Sequence, residues 1–154
     1  MQAKVTGGYL NSALAVDEAR AAGYDDAILL NDRGHVAEAG TSNVVAVLGG
    51  LVVTPPASAG ILAGITRDTV LALAAELGID SVERDLAVAD LLTADEVFLT
   101  GTGIGVAPVV EIAGRGIGVG VPGPVTTRLA EHYERAVRGE DADWRGWLTA
   151  VDFE

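Results

Sequence analysis

Apolar residues recur along the chain with two different periods, and the changes between them divide it into elements. Over residues 9–22, Leu10, Leu14, Ala15 and Ala19 stand at helical spacing and Gly23 ends the run, which predicts a helix. Residues 26–30 predict a short strand, Asn31-Asp32-Arg33-Gly34 a turn, and residues 35–38 the returning partner. Residues 44–48 and 51–54 predict a second hairpin around Gly49-Gly50. A Pro-, Ser- and Gly-rich loop over 55–64 leads to a helix over 66–77, apolar at Val70, Leu71, Ala74 and Leu77 and closed by Gly78. Residues 81–84 predict a strand, 88–92 a short helical turn, and 97–99 a buried strand running into Thr100-Gly101-Thr102-Gly103. After residues 109–112 and a glycine-rich stretch, a last helix is expected from Pro124 to about Arg138, with Trp144 and Trp147 packing on the body. No repeat or internal linker interrupts this order. The expectation is a single α/β domain over residues 1–154 (α+β in the sense of a mixed sheet with helices).

Composition narrows the function classes. Hydrophobic residues make up 49% and charged residues 21%, which is globular material. The net charge of -12 argues against nucleic-acid or anionic-membrane partners, because phosphates would be repelled. Any bound anion must be held locally, by backbone N–H groups and a few placed side chains. There is no cysteine, so disulfides and thiolate metal sites are excluded, and neither histidines nor carboxylates cluster at metal-ligand spacing. No apolar run approaches the ~18 residues of a membrane span, and the first residues do not read as a signal peptide, so a cytoplasmic protein is expected. The ten basic residues divide into nine arginines and one lysine, Lys4. A bias toward Arg accounts for this count. A need for an amine that can lose its proton accounts for it too, since guanidinium stays charged.

Two turns have the chemistry to receive an anion. Gly101-Thr102-Gly103-Ile104-Gly105 does not fit a dinucleotide fingerprint, lacking a third glycine at the right spacing, and it lacks the lysine of a Walker loop. A strand ending in glycines and a threonine can still turn several N–H groups toward one anion. Gly64-Ile65-Thr66 brings a loop into a helix N-terminus, with its unpaired donors and the positive end of the dipole. Each turn has a plain alternative, since Thr also begins helices as a cap.

Four segments, in order and spacing, resemble the class IV pyridoxal-phosphate aminotransferases, a family that includes branched-chain and D-amino acid aminotransferases and aminodeoxychorismate lyases. They are Lys4-Val5-Thr6-Gly7-Gly8-Tyr9, Val36-Ala37-Glu38-Ala39-Gly40-Thr41-Ser42-Asn43, Leu62-Ala63-Gly64-Ile65-Thr66-Arg67-Asp68 and Phe98-Leu99-Thr100-Gly101-Thr102. The likeness continues through Pro108-Val109 and Pro122-Gly123-Pro124-Val125-Thr126 to Trp147-Leu148. The fold it implies is the C-terminal cofactor-binding domain of fold-type IV, and the cofactor is pyridoxal 5'-phosphate (PLP).

The resemblance also implies roles. Lys4 would be the Schiff-base lysine and proton shuttle, which needs an amine able to be neutral. Tyr9 would bond the cofactor's phenolic oxygen, and Glu38 would keep the pyridine nitrogen protonated. Ile65 (through its N–H), Thr66 and Thr102 would hold the phosphate, and the N–H groups at Thr102 and Gly103 would face the substrate carboxylate. Asn43 is read as structural, closing the turn after Glu38. The substrates implied are an amino acid, of hydrophobic branched-chain type, and a 2-oxo acid, 2-oxoglutarate. In the family a smaller N-terminal domain precedes the lysine and completes the pocket and the dimer contact. Here the lysine is residue 4. The chain is therefore expected to be a fragment of an aminotransferase or one subunit needing that domain, as a homo-oligomer or with a partner chain supplying it. The competing expectation is an incomplete homologue with a structural or interaction role. Gly40-Thr41-Ser42-Asn43 stands where branched-chain enzymes usually carry Gly-x-Glu-Asn and leans toward the D-amino acid enzymes, whereas the Pro108 and Pro122 segments lean back.

Overall fold

A computed structural model describes residues 6–140, 142–149 and 151. Its elements run α1 (Leu10–Ala21), β1 (Ile28–Leu30), β2 (Val36–Ala39), β3 (Asn43–Leu48), β4 (Leu51–Thr54), α2 (Ile65–Glu76), β5 (Ser81–Glu83), α3 (Val88–Leu92), β6 (Glu96–Gly101), β7 (Gly105–Val109), β8 (Glu111–Ile112), β9 (Arg115–Gly116) and α4 (Pro124–Val137). Short 3-10 turns lie at Thr6–Tyr9, Ala57–Ala59 and Ala142–Trp147. β1 to β7 form one seven-stranded sheet, and β8 and β9 form a small ribbon.

The centre of the sheet is buried on both faces, which is why Asn43–Leu48 and Glu96–Gly101 read as near-continuous apolar runs rather than alternating ones. Alternation survives as a choice between two cores. Val45, Val47, Val52 and Phe98 pack under α2 (Val70, Leu73, Ala74) and α4 (Leu129, Ala136). Val44, Ala46, Val53, Val97 and Leu99 face the other way, onto Leu86, Leu91 of α3, Ala94 and Ile117. The mixed sheet expected from the sequence is present. β5 joins β4 in parallel after the α2 crossover, and the other ladders are antiparallel.

β3 has three strand partners, and this shapes the site. β6 runs along one edge of β3 from Asn43 to Val47. On the opposite edge, β2 meets Asn43 through Glu38, while β4 takes Ala46 to Leu48. β2 and β4 therefore share one edge at its two ends, and the sheet forks between them.

One strand falls outside the expected elements, and one expected helix packs less than its spacing suggests. Residues 105–109 form a strand that the pattern does not suggest. Pro108 within it cannot donate to a ladder, and it is accommodated because β7 pairs with β6 alone, on the sheet's edge. The helical spacing in residues 9–22 does yield a helix, but Leu10 and Leu14 are 69% and 61% exposed and no residue of α1 is buried. Periodicity reports the helix without reporting what covers its apolar stripe. In the tail, Trp144 packs as expected, its Nε1 donating to Glu76, and stacks edge-on against Trp147, which stays exposed.

α4 is held at its start by a carboxylate from the sheet. Glu96 is buried, and its two oxygens accept from the N–H groups of Val125 (3.0 Å) and Thr126 (2.7 Å). Gly123 is required beside it, since a Cβ there would collide with the Glu96 carboxyl group. Glu96→Gln leaves one acceptor for two donors and removes the charge. It should lower unfolding stability by about 1–2 kcal/mol in urea titrations, and an unchanged midpoint would contradict this cap.

Candidate active site

The fork in the sheet opens into a cavity of about 450 Å³, lined in part by Tyr9, Glu38, Asn43, Ile65, Thr66 and Thr102. Four separate stretches of chain meet there. Gly8 and Tyr9 come from the turn before α1, Glu38 to Asn43 from the β2–β3 hairpin, Leu62 to Thr66 from the loop into α2, and Thr100 to Gly103 from the β6–β7 turn. All the described residues that the family resemblance assigns to the site (Tyr9, Glu38, Ile65, Thr66, Thr102 and Gly103) line this one cavity. Lys4 lies outside the described residues.

Glu38 points from the last stretch of β2 into a half-buried position. Its Oε2 accepts from the Leu62 N–H at 2.9 Å. Burial pushes its carboxyl above the ordinary range, and the Leu62 N–H opposes that rise. Glu38, Asn43 and Thr100 stand directly opposite one another across β2, β3 and β6, so three polar side chains form a row on one face of the sheet. Asn43 is buried. It does not merely close the hairpin, because its Nδ2 donates to the Leu62 carbonyl at 2.8 Å, 19 positions along the chain.

The α2 terminus has the properties of an anion cradle. Gly64 is its N-cap in extended backbone, and no side chain caps the helix. A Cβ on Gly64 would collide with Asn43 Oδ1, so a larger residue there has to displace the Asn43 side chain. Ile65, the first helical residue, is 83% exposed and Thr66 behind it is buried, and both line the cavity. Arg67, one position further, does not serve the site. It is buried against the far side, donating to the Thr54 hydroxyl and the Pro55 carbonyl and pairing with Glu83 at 2.8 Å, and so anchors the first turn of α2 to the sheet. Across the cavity, the exposed Thr102 and Gly103 form the turn between β6 and β7, and a Cβ on Gly103 would meet open space.

Two buried hydroxyls in the cavity wall, Ser42 Oγ and Thr100 Oγ1, have no hydrogen-bond partner among the described residues. Buried polar atoms are rarely left so unless a ligand or water serves them. The donor set fits a molecule with an anionic end for the α2 and β6–β7 turns and a protonated nitrogen for Glu38. The row of Asn43, Thr100 and the unpartnered hydroxyls is what sequence reasoning missed. Only the register of β3 against β2 and β6 brings it together. Among the described residues no cluster could hold a metal ion and no helix is long and apolar enough to cross a membrane.

The amino-transferase class IV family profile matches residues 1–112. A curated Aquifex aeolicus protein, named "Probable branched-chain-amino-acid aminotransferase", is 50% identical over 96% of this chain and 48% of its own length. Among solved structures, the branched-chain aminotransferase of the archaeon Thermoproteus uzoniensis with norvaline superposes with a TM-score of 0.92 at 45% identity, covering 96% of this chain and 49% of that one. The branched-chain amino acid aminotransferase of Thermobaculum terrenum in its PLP form gives 0.96 at 42% identity, over 99% and 50%. The chain thus spans about half the length of the relatives it matches. With the mixed sheet, the cavity at its fork and all four sequence segments in register, this chain belongs to the amino-transferase class IV family.

Proposed function

We propose that this chain forms the PLP-binding half of an aminotransferase that moves an amino group between a hydrophobic, branched-chain-type amino acid and 2-oxoglutarate. The observation that carries the reading is that Glu38 and two anion-receiving turns line a single cavity. PLP bound here would supply an electron sink for the substrate's α-carbon. Ile65 and Thr66 at the α2 terminus hold the phosphate, helped by Thr102, through backbone donors and the helix dipole. This local grip is what a chain of net charge -12 needs in order to bind an anion. The Glu38 carboxylate accepts from the protonated ring nitrogen and keeps the proton there. Tyr9 orients the ring by bonding its phenolic oxygen. Lys4 carries the covalent link and moves the proton at the substrate carbon, a task that requires an amine able to be neutral. The N–H groups at Thr102 and Gly103 receive the substrate carboxylate.

The other half of the pocket comes from outside the described residues, as an N-terminal domain in the same or a partner chain, within a homo-oligomer. The exposed Leu10 and Leu14 support this. They follow Tyr9 at the cavity's mouth and present apolar surface beside it.

Mixing the chain with PLP, reducing with borohydride and mapping the adduct by mass spectrometry tests the reading, since Lys4 and the N-terminal amine are the candidate amines. A stoichiometric adduct on Lys4, lost in Lys4→Ala, is expected. No adduct, or one divided with the N-terminus, would sink the proposal.

Glu38 gives a second, independent check. Its folded pKa is raised, so the stability it contributes is fully present below the ordinary carboxylate pKa and is lost as pH rises through the raised value. In the chain without cofactor, Glu38→Gln should therefore gain on the parent in urea unfolding as pH rises from the ordinary carboxylate pKa of 4.5 through the raised value. Added PLP should reverse the order in favour of the parent. A difference that does not vary with pH would contradict a carboxylate held at the cost of burial.

A further inference from the structure

We infer that Asn43 is a positioning residue that couples the two ends of the cofactor site, setting both the carboxylate of Glu38 and the anion cradle of α2 through Leu62. This rests on the PLP reading for its meaning, but not for its geometry.

Glu38 and Asn43 pair β2 with β3 at the root of the fork. Beyond them β2 and β4 part, and the loop into α2 lies against β2, with Ala59 and Ile61 packed on Ala37. Leu62 there is gripped on both sides. Its N–H donates to Glu38 Oε2 at 2.9 Å and its carbonyl accepts from Asn43 Nδ2 at 2.8 Å. Together the two side chains act on Leu62 as a facing strand residue would, exchanging with it both a donor and an acceptor. Fixing both backbone groups of Leu62 fixes the direction of the chain two residues before Gly64, where α2 is capped.

Asn43 also acts directly on that cap. Its Oδ1 lies where a Cβ on Gly64 would fall, so the amide side chain and the Gly64 backbone are in close contact. One buried amide thus reaches the chain at Leu62 and at Gly64 and faces Glu38 across the ladder. Loss of the Asn43 amide releases the Leu62 carbonyl. The Leu62 N–H then drifts from Glu38, and the carboxylate loses the donor that opposes its burial. The α2 terminus is freed to move relative to Glu38 in the same event. A residue that only filled space in the core would change stability without changing how Glu38 titrates. Among the described residues lining the cavity, Glu38 and Tyr9 are the titratable groups, and Asp26, just before β1, accepts from the Gly40 N–H beside it.

The test is a carbon-13 NMR titration of the Glu38 carboxyl in the unliganded chain, with PLP affinity measured alongside by absorbance, for the parent, Asn43→Ala and Gly64→Ala. In Asn43→Ala the proton affinity of Glu38 should rise about threefold or more and PLP should bind about tenfold more weakly, the scale of one or two lost hydrogen bonds. Gly64→Ala, which keeps the amide but forces it aside, should produce the same two changes, and it carries the test if Asn43→Ala does not fold. Adding Gly64→Ala to Asn43→Ala should change little further, because the clashing oxygen is already gone. Glu38 titrating as in the parent in either variant overturns the inference. Failure of PLP to bind even the parent would overturn the proposed function instead, and the Glu38 titration would still decide the role of Asn43.

Discussion

The site depends on how Leu62 is held where the sheet forks. A strand with two partners on one edge leaves a stretch of backbone that neither partner covers, and buried backbone groups need partners. On β3 the Thr54 hydroxyl donates to the Val44 carbonyl, and the loop into α2 is held in turn by Glu38 and Asn43, one oxygen accepting from the Leu62 N–H and one amide donating to its carbonyl. The loop is thereby drawn into the fork at a fixed height, and the helix it feeds begins at the cavity wall. Were β2 to continue alongside β3 in place of this loop, the opening between β2 and β4 would close.

Around that point the rest of the molecule is rigid support. Both faces of β3 and β6 are packed, so the strands that carry Asn43 and Thr100 cannot tilt without disturbing two cores. α2 is tied down by Arg67 against Thr54, Pro55 and Glu83, and α4 by Glu96. What remains open is the chemistry: a helix terminus with no side-chain cap, a glycine turn, a half-buried carboxylate and two hydroxyls without partners among the described residues. This division suits a site that recognises a charged cofactor, because preorganised donors bind an anion without first being rearranged.

Much of this was legible in the sequence. The Gly49-Gly50 hairpin, α2 with its closing Gly78 and α4 with Pro124 at its start follow from turn chemistry and periodicity, which are local. The residues of the candidate site were legible through the resemblance, and the fold brings the described ones together. What was not legible is non-local. β7 is hidden by Pro108, which only its place on the edge makes tolerable. The exposure of Leu10 and Leu14 cannot be seen in their spacing. Asn43, read as the close of a hairpin, reaches Leu62 across the fork, and no pattern within the hairpin announces a partner 19 positions away.

The central claim, that one frame presents a ring-nitrogen acceptor and an anion cradle to the same ligand, is tested most directly by following backbone amide resonances while PLP is added. The account predicts that the amides of Leu62, Ile65, Thr66, Thr102 and Gly103 shift together, along one binding curve, with those of α4 unmoved. Shifts confined to one of the two turns, or centred elsewhere on the surface, would contradict it.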